Sequence, residues 1–138
     1  MLKVAFATDD RVAVNQHFGA AVGFAIYALD AERAKLVQVA EFPEETMDGN
    51  ENKLAEKIAA LSGCAAVYCL AVGGSAVRQL LAAGIQPVRM EDEAGIESLL
   101  GELRMAIRSG GVPWLDKLLK RDGDAQRFDR MAEEGWQE

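Results

Sequence analysis

The chain has 138 residues, of which 50% are apolar and 27% charged, and this balance suits one globular domain with a single core. Its net charge of −7 argues against nucleic-acid binding, which needs clustered Lys and Arg side chains. The N-terminus has no signal-peptide pattern, no apolar stretch has membrane length, and there are only two cysteines. We therefore expect a cytoplasmic protein with reduced thiols.

Alternating apolar residues predict three strands in the first third of the chain. They cover Leu2–Ala7, Phe24–Leu29 and Leu36–Phe42. The second and third strands are separated by a short polar turn, so we expect them to form a hairpin. The connection between the first two strands, Arg11–Gly23, is long.

Three helices and two further strands are predicted after the polar loop Pro43–Asn50. The helices are indicated by apolar residues at helical spacing: Leu54, Ile58 and Leu61; Val77, Leu80 and Leu81; Ile96, Leu99, Leu100, Leu103 and Ile107. The strands are short apolar runs over Ala65–Leu70 and Ile85–Met90. Ser75 is expected to cap the second helix, and Gly63, Gly84 and Gly110 are expected to end the three helices.

The order β-β-β-α-β-α-β-α predicts an α/β fold, with a single three-layer domain over residues 1–109 built on a five-stranded mixed sheet. Residues 110–138 are expected to form a helical C-terminal extension. Ligands of open α/β sheets bind at the carboxyl ends of parallel strands. If the first and fourth strands are parallel neighbours, the loop after the first strand lies beside the end of the fourth.

The loop after the first strand contains Asn15-Gln16-His17-Phe18-Gly19, which includes the only histidine of the chain. A lone histidine is more often structural than functional, but imidazole is a good iron ligand and this loop lies at the expected ligand-binding edge. Phe18 can anchor the loop in the core, and Gly19 permits close approach or a positive φ. Cys69, at the end of the fourth strand, is equally suited to supply a thiolate or to fill the core.

A glycine-rich helix start completes the candidate site. Gly73, Gly74 and Ser75 offer N–H groups at a helix N-terminus, which favours an anion such as phosphate or the sulfides of a metal cluster. Arg78, one turn along, either adds positive charge or lies on a solvated face. No Gly-x-Ser-x-Gly motif is present, so we expect a non-enzymatic protein. Because there is no Cys-x-x-Cys motif, any cluster would be held by few ligands, for which His17 and Cys69 are the candidates. A metal-dependent hydrolase using Asp9 and Asp10 is a less favoured alternative.

Seven segments spread over nearly the whole chain carry a family resemblance: Lys3–Ala7, Val14–Gly19, Phe24–Tyr27, Gly49–Leu54, Val67–Cys69, Ser75–Leu81 and Arg127–Trp136. They resemble the dinitrogenase iron–molybdenum cofactor-binding family, and the last segment resembles its NifX branch. The resemblance implies a ribonuclease H-like fold without nuclease activity, and His17 as a cofactor ligand.

The resemblance also implies a function. It implies a carrier that transiently binds an iron–sulfur precursor of the iron–molybdenum cofactor, either the NifB product or a later precursor, or the finished cofactor itself. It then transfers this cargo to the NifEN scaffold. The alternative is a protein-interaction or regulatory module of the same assembly machinery, for which contact with the cluster is incidental.

Overall fold

The structure, a computed structural model, describes residues 1–42 and 51–120. Its elements are β1 (Leu2–Ala7), β2 (Ala13–Val14), β3 (Gly23–Leu29), β4 (Ala34–Glu41), α1 (Glu51–Ala60), β5 (Ala66–Cys69), α2 (Gly74–Ala82), β6 (Gln86–Arg89), β7 (Ala94–Gly95) and α3 (Ile96–Ser109). Residues 113–120 are also helical. The predicted polar loop Pro43–Asn50 and residues 121–138 of the predicted extension lie outside the described residues.

Five strands form one mixed sheet in the order β4-β3-β1-β5-β6. β1 pairs antiparallel with β3 and parallel with β5, and β5 pairs parallel with β6. The predicted hairpin is the antiparallel pair of β3 and β4. The α/β class and the five-stranded mixed sheet are therefore confirmed, with the hairpin on one side of β1 and the parallel strands on the other.

Helices cover both faces of the sheet. On one face, α1 and α2 pack over a core that includes Phe18, Phe24 and Leu80. On the other face, α3 and the helical residues 113–120 pack over a core that includes Phe6. Leu115 is fully buried in this second core, so the beginning of the predicted extension packs against the sheet domain. Among the described residues, no helix is long and apolar enough to cross a bilayer.

Both edge strands are irregular. β4 pairs with β3 along its length, but the register skips Val37, which has no partner in β3. At the two ends of β6, the N–H groups of Gln86, its first residue, and of Met90, just after its last, donate to the carbonyl groups of Ala65 and Cys69 at 2.9 and 2.8 Å. Because alternate residues of a strand point their N–H groups in opposite directions, the nitrogen of Pro87 faces the open edge.

Two predictions about α2 are wrong. The helix begins earlier than expected, with Gly73 rather than Ser75 as its N-cap, and the Ser75 hydroxyl instead accepts a hydrogen bond from Nε2 of Gln79 at 3.1 Å. Leu81 was expected on the buried face, but it is 53% exposed, whereas Leu80 is fully buried. Consecutive residues of a helix point about 100° apart, so a helix that points Leu80 into the core points Leu81 away from it, toward solvent.

The two leucines provide a test of the packing of α2. Leu80→Ala should lower the free energy of unfolding by about 2–5 kcal/mol, because it leaves a cavity in the core. The same change at Leu81 should cost less than about 1 kcal/mol, because most of that side chain already contacts solvent. Urea denaturation followed by circular dichroism measures both losses. Equal losses would contradict the observed orientation of α2.

Candidate functional site

The backbone joins the His17 loop to the end of β5. The N–H of Leu70 donates to the carbonyl of Gln16 at 2.9 Å, and the N–H of Phe18 donates to the carbonyl of Ala71 at 2.7 Å. His17 lies between these two bonds, close to the point where the chain leaves β5 for α2. The loop and the strand end therefore lie side by side, as the predicted topology required.

Two acidic residues organise the first part of the loop. The side chain of Asn15 accepts a hydrogen bond from the N–H of Asp9 at 3.1 Å and donates one to the Asp9 carboxylate at 2.7 Å. Oδ1 of Asp10 accepts hydrogen bonds from the N–H groups of Val12 and Ala13 at 2.8 and 3.1 Å. These bonds stabilise the carboxylate and hold the pKa of Asp10 below its ordinary value. Both carboxylates thus bind atoms of their own loop, which is typical of a structural turn.

The middle of the loop is fixed by Gln16 and Phe18. The side chain of Gln16 accepts a hydrogen bond from the N–H of Val22 at 3.4 Å and donates one to the carbonyl of Asn15 at 3.2 Å. Phe18 is fully buried and its ring centroid lies 5.5 Å from that of Phe24, so it anchors the loop in the core as predicted. His17, its neighbour, is exposed.

The glycines of the candidate site have free space beside them. Gly19 does not adopt a positive φ, which removes one of the two alternatives given for this glycine. A Cβ atom built on Gly19 or on Gly73 would meet no atom of the described protein within 4 Å, apart from those of the same and the adjacent residues. The described protein itself therefore does not require glycine at either position. The space at both residues is open to a ligand.

The N-terminus of α2 is positively charged. No side chain caps the helix at Gly73, and its first turn contains no acidic residue. The guanidinium of Arg78 returns toward the helix start, where Nη1 lies 3.6 Å from the place that a Cβ of Gly74 would occupy. The helix dipole and this arginine together favour a bound anion.

Cys69 is fully buried in the core beneath α2. Burial raises the pKa of its thiol to about 11, so the thiolate that would bind iron is scarce at neutral pH. Cys64, before β5, is also buried, and burial raises the pKa of its thiol. This conformation fits the core-filling interpretation of Cys69, and its role as a ligand stays a prediction. In the described part of the chain, no three His, Cys, Asp or Glu side chains form a group suited to a metal ion.

Lys57, which no sequence pattern singled out as part of the site, is only 1% exposed. Its Nζ donates a hydrogen bond to the carbonyl of Gly19 at 2.6 Å and lies 5.8 Å from the centroid of the Phe42 ring. A lysine in an amphipathic helix normally points to solvent. The signal available in the sequence was its spacing, since Lys57 lies three residues after Leu54 and four before Leu61, on the apolar face.

The burial of Cys69 can be tested by alkylation of a Cys64→Ala variant, which keeps one thiol. At pH 8, iodoacetamide should modify the folded protein about a hundredfold more slowly than the unfolded protein, because two units of pKa reduce the thiolate fraction by that factor. The rate in the folded protein should continue to rise until the pH reaches about 11. Mass spectrometry measures the modified fraction. Reaction as fast as in the unfolded chain would restore Cys69 as an accessible ligand.

Comparisons with known proteins agree on one family. A family model described as dinitrogenase iron-molybdenum cofactor matches residues 1–106. The chain is 51% identical to protein NifX of Azotobacter vinelandii, over 100% of this chain and 89% of that protein. It is 35% identical to protein NifX of Klebsiella pneumoniae, over 96% of this chain and 82% of that protein. The crystal structure of PH0822 has the same fold, with a TM-score of 0.57 and 24% identity over 76% of this chain and 90% of that one.

Proposed function

Because the chain belongs to the dinitrogenase iron-molybdenum cofactor family, we propose that it is a non-enzymatic carrier in the biosynthesis of that cofactor. In this proposal it binds an iron–sulfur precursor, the NifB product or a later form, and passes it to the NifEN scaffold. The observation that carries the proposal is the position of His17. The only histidine of the chain is exposed on a loop that two backbone hydrogen bonds attach to the end of β5.

His17 supplies an imidazole ligand to iron in this proposal. The backbone on both sides of the residue is already hydrogen bonded, so presenting the imidazole requires little ordering of the loop. Imidazole is a suitable iron ligand, and a single bond from the protein is readily displaced by a scaffold that offers more ligands. A carrier needs this property, because it must release its cargo.

The N-terminus of α2 offsets the negative charge of such a cargo. The protein has a net charge of −7, which by itself repels an anionic cluster. The N–H groups of the first helical turn and the guanidinium of Arg78 provide local positive potential next to the strand end. The open space at Gly19 and Gly73 allows a cluster to approach the backbone closely.

Replacement of His17 tests the proposal directly. In an anaerobic titration with the cluster made by NifB, His17→Ala should bind more than about tenfold more weakly, because even loss of a ligand's hydrogen-bond partner costs 10–100-fold. The electron paramagnetic resonance spectrum of the bound cluster should change as well. Cys69→Ala is the matched comparison, and it should bind like the wild type if that thiol only fills the core. An unchanged affinity and spectrum for His17→Ala would remove His17 from the site.

Gly73→Ser separates cluster binding from stability. A serine at the N-cap accepts hydrogen bonds from N–H groups of the first turn, so it should stabilise α2 by about a few tenths of a kcal/mol. The same hydroxyl occupies the groups that attract the cluster, so the affinity for the cluster should fall. Gly101→Ser in α3 is the control and should leave the affinity unchanged, because a Cβ there meets no described atom within 4 Å outside the backbone of its own helix and the adjacent residues. Equal affinities of both variants would exclude the start of α2 from the site.

A further inference from the structure

We propose that Lys57 is a positioning residue of this site, which holds the His17 loop in place from the core side. The inference rests on the proposed function, because it concerns how the same loop receives an anionic metal cluster. Lys57 belongs to α1, and neither its place in the sequence nor the family match assigns it a role in binding.

Lys57 holds the loop from the core side. Its Nζ donates to the carbonyl of Gly19, two residues after His17, at 2.6 Å. On the other side, the backbone bonds of Gln16 and Phe18 attach the loop to the segment after β5. His17 therefore lies on a short segment that is fixed at both ends, so the direction of its backbone depends on the contact with Lys57.

A lysine at this position is costly for the fold. Its side chain is only 1% exposed, and a charged group taken out of water loses a large hydration energy that its partners must replace. The carbonyl of Gly19 and the ring of Phe42 replace part of it. A methionine or leucine at position 57 would extend the apolar face formed by Leu54 and Ile58 without this cost. Neither of these side chains could donate the hydrogen bond that Lys57 makes to the carbonyl of Gly19.

The test compares two variants. Lys57→Met keeps the length of the side chain but removes its charge and its hydrogen-bond donors, whereas Lys57→Arg keeps both. In the cluster-free Lys57→Met protein, the backbone N–H signals of His17, Phe18 and Gly19 in nitrogen-15 spectra should shift and broaden. Hydrogen exchange at Phe18 should accelerate about tenfold, because the loop opens locally more often. A synthetic [4Fe–4S] cluster with exchangeable thiolate ligands should bind about tenfold more weakly, the usual effect of losing a hydrogen bond from a charged group. Lys57→Arg should restore most of the affinity.

Lys120→Met is the control, because it changes the net charge equally at an exposed residue of the helix on the opposite face. It should leave both the loop signals and the affinity unchanged. Loop signals in Lys57→Met that match the wild type overturn the inference, even if His17→Ala abolishes cluster binding. Full affinity of His17→Ala instead overturns the carrier proposal, whatever the loop signals of Lys57→Met show. If Lys57→Met does not fold, Lys57→Leu, which also lacks the donor, takes its place, and wild-type loop signals in that variant overturn the inference.

Discussion

The parallel pairing of β1 with β5 determines where the other parts of the candidate site lie. The ladder runs from Val4 opposite Ala66 to Phe6 opposite Tyr68, in the centre of the sheet, where helices cover both faces. Past the end of the ladder, the loop after β1 continues the contact through its backbone bonds to residues 70 and 71. Central strands are among the last parts of a protein to open. A loop attached to them holds its side chain in a defined place, although the side chain itself is exposed.

Much of the fold could be predicted from the sequence, because most strands and helices show a periodic pattern of apolar residues. The alternation in β1 and β3 and the helical spacing in α3 are strong signals, and the five sheet strands and three helices lie where these patterns indicated. The position of His17 beside the end of β5 also followed, because it depends only on strand order and direction. The small sheet of β2 and β7 was not predicted, since strands of two residues are too short to show a period.

The details of the site depended on contacts that no local pattern contains. The burial of Lys57 results from the meeting of α1 with a loop 38 positions earlier in the chain, and its charge masked the apolar spacing of its helix. Ser75 has the chemistry of a cap, but the helix began one residue before it, so its hydroxyl found Gln79 instead. A cysteine can act either as a metal ligand or as a core residue, and the complete burial of Cys69 at the end of β5 favours the core residue.

The two edge strands carry interruptions that affect how these molecules meet one another. A strand from another molecule that pairs with β6 finds no hydrogen-bond donor at Pro87. A strand that pairs with β4 meets the register shift at Val37. Natural sheets use prolines and bulges of this kind to prevent edge-to-edge growth. Crowded molecules of this protein therefore have a built-in defence against joining their sheets edge to edge into fibrils.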